Sequence, residues 1–103
     1  MAENRYTPWG MSDHADDIVP GIVFYSTPGH GGYRLSPERE AEMHPALRKT
    51  DPTYCPLGWY EEDCEAALVG LAFAQLDAFK DRKACAESIV KQVYPEKYKA
   101  WKS

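Results

Sequence analysis

A histidine set among glycines is the most unusual stretch of this sequence, Thr27-Pro28-Gly29-His30-Gly31-Gly32. An imidazole can act as a base or as a metal ligand near neutral pH. The glycines let a backbone approach a ligand closely, and their tolerance of positive φ predicts a turn. His30 is therefore a candidate contact for a ligand or partner. The alternative is a structural hairpin in which His30 caps a backbone carbonyl.

A second candidate is the aromatic and acidic run Trp59-Tyr60-Glu61-Glu62-Asp63, followed by Glu65. Paired carboxylates can bind a divalent cation or perform acid–base chemistry. Acidic residues also collect at helix N-termini because the helix dipole stabilises them there. Tryptophan and tyrosine beside acids suit a protein interface, where aromatic residues act as anchors. Equally, Trp59 can fill the core.

The remaining reactive residue types show no recognisable pattern. His14, His30 and His44 lack metal-ligand spacing, and no Gly-x-Ser-x-Gly nucleophile or nucleotide loop is present. We therefore predict no catalytic residue, metal or cofactor. Three cysteines cannot all pair, and we expect them to be reduced. Cys64 and Cys85 are predicted to pack in helices as small apolar residues, and Cys55, in a loop, to be the reactive thiol.

The elements that position these residues predict an α+β fold, in which a small antiparallel hairpin packs on three to four helices in one domain. Residues 1–20 look irregular, with one helical turn that Ser12 caps. Residues 21–35 read as the hairpin, and residues 36–103 as mostly helical. The first predicted helix begins at Ser36-Pro37 and ends before Pro45, and a loop spans 50–58. The second and longest helix runs from about 61 to 79. The third runs over about 81–93, with Cys85, Ile89 and Val93 on its apolar stripe, and the fourth begins at Pro95.

The charge of the chain argues against a general nucleic-acid binder. Net charge is −4, but residues 1–79 carry five basic and thirteen acidic side chains, whereas residues 80–103 carry seven basic and three acidic ones. Phosphate binding needs a dominant basic face, which only the last quarter could form. The acidic remainder would be attracted to a basic protein surface. No run approaches the roughly 18 apolar residues of a membrane span, and no signal pattern is present, so we expect a cytoplasmic protein without membrane contact.

The chain resembles an uncharacterised domain family encoded by phages, plasmids and integrated mobile elements of proteobacteria. Members share "STPSHGG…LS", here Ser26-Thr27-Pro28-Gly29-His30-Gly31-Gly32 with Leu35-Ser36, and "WYEED", here residues 59–63. A "WGP"-like start often precedes them, here Trp9-Gly10-Met11, and the likeness spans roughly residues 8–80. The chain departs from the family at Met11 and at Gly29, where the family has serine. No serine nucleophile can therefore be carried over.

The resemblance implies a binding function, because small acidic proteins of mobile elements frequently block host defence, as anti-CRISPR proteins do. We accordingly expect an inhibitor of a host CRISPR–Cas protein or complex. The expected contact residues are Trp59, Tyr60, Glu61, Glu62, Asp63 and Glu65, with His30, Tyr33 and Arg34. Lysine at positions 61, 62 and 65 together should then abolish inhibition and leave the fold intact.

Two alternatives remain open. One is a small metal-dependent or hydrolytic enzyme centred on His30, with Glu61 or Glu62 brought near by folding. The other is a DNA-binding regulator that uses the basic residues 80–102. A homodimer is compatible with the apolar helices, but no heptad pattern specifies one.

Overall fold

The central hairpin forms where β-branched and aromatic residues are concentrated. In the computed structural model, which describes residues 3–52 and 55–103, strand β4 (Ile22–Ser26) pairs antiparallel with β5 (Gly31–Leu35). The backbone N–H and the hydroxyl of Thr27 both donate to the His30 carbonyl and close the turn. The predicted hairpin is confirmed. It is the middle of a larger sheet with the order β3-β4-β5-β6, in which β3 is His14–Val19 and β6 is Trp59–Glu61.

The prediction that residues 1–20 are irregular is wrong. Strands β1 (Tyr6–Thr7) and β2 (Gly10–Met11) form a separate two-stranded ribbon, and β3 pairs with β4 along the edge of the main sheet. Ser12 caps no helix, because its hydroxyl accepts from the Arg5 backbone N–H and donates to Asn4 Oδ1. β3 is an acidic edge strand, and its extended conformation comes from its pairing with β4. Local composition therefore did not indicate a strand there.

The domain has four helices, and two of them begin at the predicted residues. Ser36 caps α1 (Pro37–Glu42) by accepting from the Arg39 N–H, and α4 (Pro95–Lys102) begins at its proline, both as predicted. Between them lie α2 (Glu65–Ala72) and α3 (Lys83–Val93), with short 3₁₀ turns at Pro45–Leu47 and Lys80–Arg82. The α+β class is confirmed. None of the helices in the described parts of the chain is long and apolar enough to cross a membrane.

The predicted helix over 61–79 is wrong at both ends. Glu61, the first residue of the predicted helix, is the last residue of strand β6, residues 62–64 form a turn, and α2 begins only at Glu65. The longest helix is instead α3, with 11 residues. Of the predicted apolar stripe, Ile89 packs against the core, but Cys85 and Val93 are exposed, and Ala86 and Val90 are buried instead. Of the predicted 50–58 loop, Thr53 and Tyr54 lie outside the described residues.

The two faces of the sheet pack against different layers. Side chains alternate between faces along each strand. Ile22, Tyr33 and Tyr60 face the helices and join the main core, whose interior also holds Phe73 and Phe79. The opposite face carries a second cluster of buried residues, Tyr25, Cys55 and Trp59, with Trp9, Ala15 and Val23 packed against it.

Candidate functional site

The predicted contact residues of β5 and β6 divide between the two faces of the sheet. Tyr33 lies opposite Tyr60, and both belong to the helix-facing core. Arg34 lies opposite Trp59 on the other face, where its guanidinium is 5.4 Å from the centre of the Trp59 ring. Because side chains alternate along a strand, the contiguous run of predicted residues cannot form one continuous surface.

A buried polar cluster around Lys49 joins the loop that contains Cys55, strand β6 and helix α2. Lys49 Nζ lies 3.2 Å from Glu65 Oε1, and both side chains are almost fully buried, at 4% and 3% exposed. The same ammonium donates to the carbonyl oxygens of Cys55 at 2.7 Å and of Trp59 at 3.1 Å. Glu65 Oε1 also accepts from the Glu61 backbone N–H. Glu65 is therefore a structural acid that joins α2 to β6, and it presents no charge to a partner.

Lys49 was missed at the sequence level. The available signal was Glu65 itself, an acid that occupies the apolar side of a helix and therefore requires a buried cation. Nothing in the spacing of the chain identified Lys49 as that cation, 16 positions earlier.

Tyr60 is also an interior residue. Its hydroxyl donates to the Glu40 carboxylate at 2.8 Å and accepts from the Lys49 backbone N–H at 3.3 Å. Burial is the main cause that raises the pKa of Tyr60 well above its ordinary value, and the neighbouring Glu40 carboxylate adds to the effect. The Tyr60 side chain is 0% exposed, so it supports the sheet and offers no anchor on the surface.

Three of the predicted contact residues meet in a groove between α2 and α3, of about 330 Å³. We call it the α2–α3 groove. Its floor is apolar and includes Ala66, Gly70, Phe79 and Ile89, and its polar lining residues are Tyr33, Glu62, Asp63 and Arg82. Glu62 and Asp63 are exposed. Burial raises the pKa of Tyr33, and the nearby Arg82 guanidinium partly opposes that rise.

A second and larger groove lies between α1 and β6, with a volume of about 570 Å³. We call it the α1–β6 groove. Arg34 and Trp59, both predicted contacts, line it together with Glu40, Arg48, Lys49 and Leu57. A second cation approaches Trp59, because the Arg5 guanidinium lies 5.7 Å from the centre of its ring.

His30 is exposed in the turn before β5, with Nδ1 4.0 Å from Glu61 Oε2. Folding therefore brings Glu61 to His30, as the enzyme alternative expected. Residues 3–52 and 55–103 contain no group of three or more His, Cys, Asp or Glu side chains that could hold a metal ion. The expected positive φ in this turn is wrong: the described glycines with positive φ are Gly10, Gly21 and Gly58. Gly31 and Gly32 are instead residues of strand β5.

One family model matches almost the entire chain, over residues 2–103, and it is described as a domain of unknown function, DUF7007. The chain belongs to the DUF7007 family. No curated protein matches it, and no solved structure does. The kinship with DUF7007 covers residues 2–103, and the description of the family assigns no function.

The burial of Cys55 and the exposure of Cys85 in this DUF7007 domain are the opposite of what the sequence predicted. Cys55 is buried, and burial together with the Glu65 side chain raises the pKa of its thiol. Cys64 is half-buried and Cys85 is exposed. Cys55 is therefore a poor nucleophile because its protonated form is favoured, whereas the residue predicted to lie in the core, Cys85, is accessible.

Proposed function

We propose that this DUF7007 domain is a protein-binding inhibitor of host defence, of the anti-CRISPR type, whose α2–α3 groove takes up a basic side chain from the nucleic-acid-binding surface of a Cas protein. The observation that carries the proposal is the pair of exposed carboxylates, Glu62 and Asp63, beside an apolar floor. Protein interfaces combine an apolar centre with a polar rim in this way.

The groove suits an arginine or lysine side chain. Such residues bury an aliphatic stem and keep a charged head at a polar edge. Gly70 lets α2 pack closely on α3 beneath the groove, because a Cβ added to Gly70 would lie 3.3 Å from the Ala86 Cβ. Arg82 shares the lining, so two carboxylates face one guanidinium and the groove retains an acidic excess.

The charge of the whole chain supports the same partner. A net charge of −4 attracts a basic surface at long range and speeds association. Occupying such a surface would exclude nucleic acid, which depends on the same cations for its affinity.

The structure changes the design of the test. The combined replacement of Glu61, Glu62 and Glu65 by lysine would place a second cation against the buried Lys49, so it would unfold the protein rather than leave it intact. The informative variant is Glu62→Lys with Asp63→Lys. A matched control reverses the same number of exposed acids elsewhere, Asp13→Lys with Asp16→Lys.

The experiment is a tagged pull-down from a host lysate that contains an active CRISPR–Cas system, followed by nucleic-acid binding assays on the captured Cas protein. We expect the wild type and the control variant to bind and to displace nucleic acid. The Glu62/Asp63 variant should lose at least about tenfold in affinity, because its charges now repel the partner. Full inhibition by the folded Glu62/Asp63 variant would exclude the groove. Failure of the wild type to capture any Cas protein would refute the choice of partner.

A further inference from the structure

We propose that the α1–β6 groove binds a small organic anion, a carboxylate or phosphate group carried on an apolar or aromatic body. The lining of this groove includes Trp59 and Arg34 and shares no residue with the lining of the α2–α3 groove. The proposal therefore does not depend on the proposed inhibitor function.

The anion would be recognised by two guanidinium groups. The Arg34 guanidinium lies over the Trp59 ring, and the N–H groups at its edge can donate hydrogen bonds to a ligand. Arg48 Nη2 donates to the Ala41 carbonyl at 2.8 Å, but its Nε is buried without a hydrogen-bond partner among the described residues. Buried donors are almost always satisfied, so a shift of the Arg48 guanidinium that turns its Nε toward an acceptor in the groove would be favoured. Carboxylate and phosphate are the acceptors that match the guanidinium fork.

The other charged residues of the groove restrict the ligand. The Lys49 ammonium is occupied by the Glu65 carboxylate and by the backbone carbonyls of Cys55, Pro56 and Trp59, so no free donor points from it to a ligand. Glu40 accepts from the Tyr60 hydroxyl and lines the same groove. Its carboxylate would repel a second anionic group and would tolerate a hydroxyl. The groove is therefore suited to a ligand with one anionic end.

The remaining walls are apolar and call for an apolar body. Leu35, Pro37 and Trp59 line the groove, and Leu57 lies in it with 54% of its surface exposed. The volume of about 570 Å³ lies within the range of roughly 300–1,000 Å³ that small-molecule sites occupy. A ring or short chain on the ligand would cover Leu57 while its anionic group meets the arginines.

The test is an NMR titration of the full chain with phenyl phosphate and benzoate as probes, and with benzyl alcohol as the neutral analogue. We expect saturable shifts at the Trp59 indole N–H and at the backbone amides of Arg34 and Arg48 with at least one of the two anions. The tighter of the two identifies the anionic group. Arg34→Met should weaken that binding about tenfold, the size expected for loss of a charged hydrogen bond.

The controls separate recognition from folding. Arg82→Met removes a guanidinium from the other groove and should bind the probe as the wild type does. Arg48→Lys keeps the charge without the fork, and should weaken binding with an unchanged native spectrum. The proposal is overturned if benzyl alcohol binds as tightly as the anions, if neither Arg34→Met nor Arg48→Lys changes the affinity, or if no saturable shift occurs in the groove.

Discussion

At the scale of single residues, Lys49 joins several separate parts of this domain through its contacts. Its ammonium contacts one carboxylate and the carbonyls of two segments, and its backbone N–H donates to Tyr60. A buried ion pair is costly to form, because both charges leave water, and it becomes much more costly when one member is removed. Lys49 and Glu65 therefore act as one unit that specifies how β6 is placed.

Removing only one member of this pair should be strongly destabilising. We expect Lys49→Met to lower the free energy of unfolding by about 3–5 kcal/mol, because the buried Glu65 carboxylate loses the cation that offsets its charge. Lys49→Met combined with Glu65→Leu should recover a large part of that loss, since neither buried charge remains. Urea denaturation followed by circular dichroism measures both quantities.

The matched control for that prediction is the exposed Lys80–Asp77 pair, 3.5 Å apart. Exposed pairs contribute about 0–1 kcal/mol, so Lys80→Met should scarcely change the unfolding midpoint. Equal effects of Lys49→Met and Lys80→Met would show that the buried pair does not stabilise the fold as described.

Among the elements, strand β5 shows why a glycine can be required without any unusual φ. Gly32 lies opposite Glu61 of β6, and a Cβ at this position would overlap the Tyr60 carbonyl oxygen and the Trp9 ring. Gly29, in the preceding turn, has nothing within 4 Å of an added Cβ and no positive φ. The two glycines of one motif therefore have different roles.

Alanine at these two positions should separate those roles. We expect Gly32→Ala to destabilise the domain by about 1–3 kcal/mol or more, because β6 or Trp9 must move to make room. Gly29→Ala should be neutral or slightly stabilising, since it reduces the freedom of the unfolded chain at no native cost. Thermal unfolding of the two variants tests the difference, and a Gly32→Ala variant as stable as Gly29→Ala would contradict it.

At the scale of the whole molecule, three buried protonated groups link stability to pH. Burial raises the pKa values of Cys55, Tyr33 and Tyr60 in the folded state. At alkaline pH the unfolded chain releases these protons while the folded chain retains them. The unfolded state then binds fewer protons, so stability falls as pH rises. Lys97, whose pKa is lowered by burial, offsets part of this fall.

We therefore expect the free energy of unfolding to decrease between about pH 8 and about pH 10.5, through the ordinary pKa values of cysteine and tyrosine. Urea titrations at the two pH values measure the decrease. Tyr60→Phe should be less stable at pH 8, because Glu40 and the Lys49 N–H lose a partner, and should show a smaller decrease. A constant free energy of unfolding across this range would refute the linkage.

Some of the fold could be predicted because it depends on neighbours in the chain. The hairpin from Ile22 to Leu35 follows from β-branched and aromatic residues around a short turn. The starts of α1 and α4 follow from Ser36, Pro37 and Pro95, whose effects act within one helical turn. These features, and the α+β class with them, require no knowledge of distant contacts.

The rest depended on pairing between distant segments, which local composition does not encode. His14–Val19, which includes two acids, is extended because β4 lies beside it, and Trp59–Glu61 is a strand because β5 pairs with it. The positions of the candidate site residues also depended on contacts between distant segments. Tertiary packing alone placed Tyr60 and Glu65 in the interior, left Glu62 and Asp63 on one groove, and placed Arg34 and Arg48 on the lining of another. Strand register sets the face on which each side chain lies, and it is satisfied only when the whole sheet forms.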